Sequence, residues 1–76
     1  MMRFEAGKAY GAWDTGTPPI RVISRTEHMA LVEDTDTVER WKMKIKKRTN
    51  GTEYMTDSRV PVAWRECYTY EAGFKI

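Results

Sequence analysis

The stretch "ERWKMKIKKRTNGTEYMTD", residues 39–57, decides how the chain is read. From Arg40 onward, basic residues occupy every second position: Arg40, Lys42, Lys44, Lys46 and Arg48. Trp41, Met43 and Ile45 fill the gaps. Spacing of two places the three apolar residues on one face of a strand, whereas a helix would scatter them. Asn50-Gly51 follows, a strong signal for a tight hairpin turn. A two-residue turn there pairs Arg48 with Glu53, Lys47 with Tyr54, Lys46 with Met55 and Lys44 with Asp57. On that register Arg48 and Lys44 gain acids opposite, while Arg40, Lys42 and Lys46 stay free. Lys47 points to the apolar face, with its stem on Tyr54 and its ammonium in water.

Short β-like runs extend on both sides of this hairpin. Residues 7–13 mix aromatic and small side chains, and 14–19 form a loop by composition. Residues 20–26 are rich in β-branched side chains, and 29–33 are apolar, with Glu27 and His28 as the turn between them. Residues 34–37 make an acidic turn. Pro61 limits 60–64 to an edge strand or a turn leading into one. The run 65–76 reads as a closing strand rather than a helix, with its end fraying after about residue 70. The expected fold is all-β: one domain over 1–76, a small curled antiparallel sheet or SH3-like barrel of five to six strands in meander order. A five-stranded OB-type barrel is the second choice. The expected core is Tyr10, Trp13, Val22, Leu31, Trp41, Met43, Ile45, Tyr54, Val62 and Trp64.

Composition excludes several functions. With 76 residues, the chain has room for one core. The single cysteine, Cys67, cannot form an internal disulfide and fits a reducing compartment. One cysteine and one histidine, His28, cannot supply a Cys/His zinc site, so no metal and no cofactor is expected. No apolar run reaches membrane-spanning length, and no signal-peptide pattern opens the chain, so a cytoplasmic location is expected. His28 has no nucleophile beside it, and no glycine-rich phosphate loop precedes a helix, so the expectation is no enzyme. Asp34 and Asp36 resemble the start of a calcium loop, but the glycine and distal glutamate are missing, which favours a solvated turn.

The net charge of +2 conceals an asymmetry. Six basic residues fall within 40–48, and the remaining seven face all eleven acids, a balance of −4. Two functions follow as alternatives. The first is a protein-interaction module, with Tyr68, Tyr70 and Phe74 of the tail as anchors for a protein partner or a second copy of the chain. The second is weak nucleic-acid binding, with Arg40, Lys42, Lys44, Lys46 and Arg48 on phosphates. Exposed aromatics beside the basic strand would favour nucleic acid, and an apolar patch away from it would favour protein. A solvated strand face is the third reading of the charge.

The segments Gly7-Lys8-Ala9-Tyr10, Ile23-Ser24-Arg25-Thr26, Met29 to Val32, Lys44 to Lys46 and Gly51 to Tyr54 carry a resemblance. Across 7–64 the chain resembles short uncharacterised β-rich proteins of phages and mobile elements of Gram-positive gut bacteria. The acidic loop 33–39 and the tail after Trp64 have no counterpart there. The resemblance implies a compact β domain of mobile-element origin and carries no assigned activity to transfer.

Overall fold

A computed structural model of the chain describes residues 2–76. Seven strands form one antiparallel sheet: β1 (Ala9–Ala12), β2 (Ile20–Arg25), β3 (Met29–Asp34), β4 (Arg40–Lys44), β5 (Lys46–Lys47), β6 (Glu53–Thr56) and β7 (Thr69–Lys75). Their order across the sheet is β4-β3-β2-β1-β7-β6-β5. The first and last members, β4 and β5, are consecutive in the chain and separated only by Ile45. One basic run therefore bonds β3 with its first half and β6 with its second. This bends the sheet into a nearly closed barrel. The break at Ile45 accounts for seven strands where five to six were expected. The Ile45 amide donates to the His28 carbonyl at 2.7 Å, which anchors the bend.

The barrel interior is Phe4, Tyr10, Ala12, Ile20, Val22, Ala30, Val32, Met43, Ile45, Met55, Tyr70 and Ala72, with Trp41 packed against it. Alternation explains most of this set. Ala30 pairs with Met43 and Val32 with Trp41, so these face inward. Leu31 pairs with Lys42 on the outer face and is only half-buried, which corrects its expected place in the core. Trp13 is 56% exposed. Tyr10 and Ala12 point inward, so the period of two turns Trp13 outward. Val62 and Trp64 are exposed too, because 60–64 is no strand; Val62–Trp64 forms a single 3-10 turn with no buried residue. The tail folds as the expected closing strand, wedged between β1 and β6.

The hairpin after β5 departs from the expected register by one residue. The Gly51 amide donates to the Arg48 carbonyl, and the Arg48 amide donates to the Thr52 carbonyl, each at 2.9 Å. The loop thus has three residues, Thr49 to Gly51. Gly51 is left-handed at φ 87°, while Asn50 has no positive φ. This is a three-residue loop with a glycine bulge, rather than the two-residue turn that needs positive φ at both central positions. Lys47 pairs with Glu53 and Lys46 with Tyr54. Because the side-chain period is two, a slip of one turns the whole return strand over. Glu53, Met55 and Asp57 face inward, and Tyr54 and Thr56 face out. Tyr54 is therefore half-buried on the outer side, a correction to the expected core. Lys47 is exposed and meets Glu27 at 3.6 Å, instead of lying on the apolar face.

The β3–β4 loop carries a backbone cost. Val38 adopts φ 55°, and its side chain is exposed. A β-branched residue in this region is disfavoured by roughly 1–2 kcal/mol. Val38→Gly is expected to raise stability by about 1 kcal/mol, or roughly 4–8 °C in Tm for a domain of this size. Thermal unfolding followed by circular dichroism checks this; an unchanged or lower Tm contradicts it.

Candidate functional site

The barrel has two ends and one seam. At one end, Glu53 is fully buried. Its carboxylate accepts two bonds from the Arg25 guanidinium, at 2.5 and 2.9 Å, and one from the Phe4 amide at 2.8 Å. Arg25 also donates to the Phe4 carbonyl at 2.9 Å, so the main chain at Phe4 is held from both sides. A bulge between Val22 and Ser24 aligns Arg25 with Ala30 on the inner face. Without that bulge Arg25 would point to solvent. Burial pushes the Glu53 carboxyl up, but the hydrogen bonds from Arg25 and Phe4 and the charges of Arg25 and Arg3 outweigh it and hold the pKa below the ordinary range. This cluster is consumed by structure, with every polar group partnered.

The other end is closed by Arg59. Its guanidinium stacks 3.7 Å from the Trp41 ring centroid and bridges Asp57 at 3.0 Å and Glu39 at 2.7 Å. The Asp57 bond, ahead of the cost of burial, holds the Arg59 pKa above its ordinary value. Asp34 accepts from the amides of Asp36 and Thr37 at 2.7 and 3.3 Å, so it caps its own turn. Among the described residues no group of three His, Cys, Asp or Glu is placed to hold a metal ion. His28 lies in the β2–β3 turn and Cys67 in the β6–β7 connection, at opposite ends of the barrel.

The five residues of the basic comb all lie exposed, yet they are not equivalent. Arg40 pairs with Glu33, its cross-strand neighbour, at 2.9 Å. Arg48 pairs with Glu71 at 2.5 Å and stacks 3.8 Å from the Tyr54 ring centroid. Glu53, the acid expected opposite Arg48, is inside the barrel with Arg25. Lys42, Lys44 and Lys46 form no salt bridge among the described residues. Lys44 was expected opposite Asp57; its cross-strand partner is Met29. These three lysines line the seam between β4 and β6, with Met29, Met43, Thr56 and Ser58.

The three tail aromatics are also divided. Tyr70 is 3% exposed and belongs to the core. Its burial, ahead of the nearby Asp57 and Asp34 charges, pushes its pKa upward. Tyr68 is half-buried. Of the three, only Phe74 is exposed, at 40%. It meets a residue that was expected in the core: Trp13 packs edge-on against Phe74, with centroids 5.3 Å apart at 75°. The Trp13 indole N–H donates to Glu71 at 2.8 Å, so the ring is fixed in place. Gly11, Pro19 and the exposed Ile76 complete a mostly apolar hollow around the two rings. Parity was the available signal for Trp13, since a strand that buries Tyr10 cannot also bury residue 13. Ile76 carried no such signal, being at the end of the sequence.

No helix is long and apolar enough to cross a membrane among the described residues. No family model, curated protein or solved structure matches the chain significantly.

Proposed function

We propose that this chain is a non-enzymatic protein-interaction module, an adaptor or modulator that docks an apolar protein segment on the outer face of β1 and β7. One observation carries the reading: the exposed Trp13–Phe74 pair, with Ile76 and Pro19, forms an apolar hollow on strands other than those that bear the lysines. Clustered exposed apolar side chains mark interaction sites more often than scattered ones. Tryptophan dominates interface energetics, and a ring already held by Glu71 loses little freedom on binding.

The test is site-specific photo-crosslinking in cells, with a benzophenone side chain at position 74 and, separately, at Arg21. The expected result is a discrete, protease-sensitive adduct from position 74 that Trp13→Ala reduces at least tenfold, and none from position 21. A second copy of the chain in the adduct would identify a homodimer. No adduct at 74, or equal adducts at both positions, would contradict the reading.

A further inference from the structure

We propose that the seam between β4 and β6 is a second binding site, which takes the phosphodiester backbone of single-stranded nucleic acid through Lys42, Lys44 and Lys46. β4 bonds only to β3, so its other edge faces β6 across an open cleft of about 370 Å³. The three ammonium groups have no acid partner among the described residues, while Arg40, Lys47 and Arg48 of the same run are each ion-paired. The free charge of the comb is thus gathered at the seam. Ser58, on the far wall, adds a hydroxyl donor.

Spacing and charge select the ligand. Lys42 and Lys44 are alternate residues of β4 and so lie about 6.7 Å apart, comparable with successive phosphates of an extended single strand, and Lys46 continues the row past the bend. A nucleic-acid backbone carries one anion per nucleotide, so any sequence presents three charges to three lysines. An acidic peptide would have to place carboxylates at alternate positions in one register. The lysine run bends at Ile45; a flexible single strand follows that bend, whereas a duplex is stiff over this length. The nearest aromatic faces, Trp41 and Tyr54, are covered by Arg59 and Arg48. Without a free stacking platform the site holds phosphates rather than bases, and binding is independent of sequence.

Fluorescence polarisation tests this with a labelled twelve-nucleotide oligo-dT, its RNA counterpart, a duplex of equal length and poly-glutamate as competitor. Three phosphate contacts on a single strand give a salt slope of about −2.1, so raising salt from 50 to 200 mM weakens binding about 18-fold. Lys42→Gln/Lys44→Gln should bind at least tenfold more weakly at 50 mM salt, with a slope near −0.7. Lys8→Gln/Lys75→Gln removes the same charge elsewhere and should match wild type, as should Trp13→Ala, which separates this site from the apolar hollow. Circular dichroism establishes that each variant is folded. Absence of binding at 20 mM salt overturns the proposal, as does equal loss in the two lysine pairs. Displacement by poly-glutamate as effective as by oligo-dT would assign the seam to acidic peptides. Duplex binding as tight as single-strand binding, or loss of binding in Trp13→Ala, would overturn the seam assignment.

Discussion

Glu53→Ala is expected to destabilise the fold by about 3–5 kcal/mol, because it strands the Arg25 guanidinium without its carboxylate. The Arg25 side chain is only 13% exposed, so water restores little of the loss. A core of this size supplies about 3–5 kcal/mol of net stability in total. The variant should therefore be largely unfolded at 25 °C. Urea unfolding measures the loss, and a cost below about 1 kcal/mol would contradict the account. Replacing both partners, Arg25→Met with Glu53→Leu, should recover much of the stability, because neither charge is then left buried. The same pair sets an acid limit. The folded-state pKa of Glu53 lies below its unfolded value. Its contribution is therefore complete above the unfolded pKa, about 4.3. It is lost as pH falls from there through the folded pKa. Stability of the wild type should drop below about pH 4.3, with a shallower drop in Glu53→Gln.

Phe4→Ala is expected to cost about 3–5 kcal/mol, the range for a buried phenyl ring. Phe4 lies outside every strand, yet it is 2% exposed. Its ring meets Tyr10 edge-on, with centroids 4.8 Å apart at 85°. Its amide and carbonyl are fixed by Glu53 and Arg25. Phe4 thus plugs one end of the barrel, and the Met2 carbonyl ahead of it accepts from the Glu53 amide at 3.0 Å. Urea unfolding of Phe4→Ala and of Phe4→Leu separates ring volume from main-chain anchoring. The leucine variant should retain most of the stability. Wild-type stability in Phe4→Ala would contradict the plug.

The fold was legible in the sequence where local pattern decides it. Alternation from Arg40 to Ile45, the β-branched run at 20–26, of which Ile20–Arg25 forms β2, and the turn at Glu27-His28 all appear in place. The closing strand was legible for the same reason. What failed depended on a single turn or on residues far apart. Asn50-Gly51 signals a hairpin, but two loop lengths satisfy it, and the choice inverts the return strand. Glu53 and Asp57 then occupy interior positions that alternation reserves for apolar residues. They do so because Arg25 and Arg59 reach them. Arg25 is 28 positions away in sequence and is turned inward by a bulge with no composition signal.

The candidate sites follow the same division. The exposure of the comb was legible, but which lysines remain unpaired depends on where Glu53 and Glu71 point. Phe74 lies exposed, as an anchor requires, whereas Tyr70 was not legible as core, because the register of the tail against β1 and β6 sets its face. Trp13 is exposed where burial was expected, because it has the opposite parity to the buried Tyr10.

The register of the hairpin decides both the buried Glu53 and the free lysines of the seam. Cross-strand nuclear Overhauser effects over residues 44–57 measure it directly. The account predicts backbone contacts between Lys46 and Tyr54 and between Lys47 and Glu53. Contacts between Lys46 and Met55 and between Arg48 and Glu53 would contradict it, and would return Glu53 to the surface beside the basic strand.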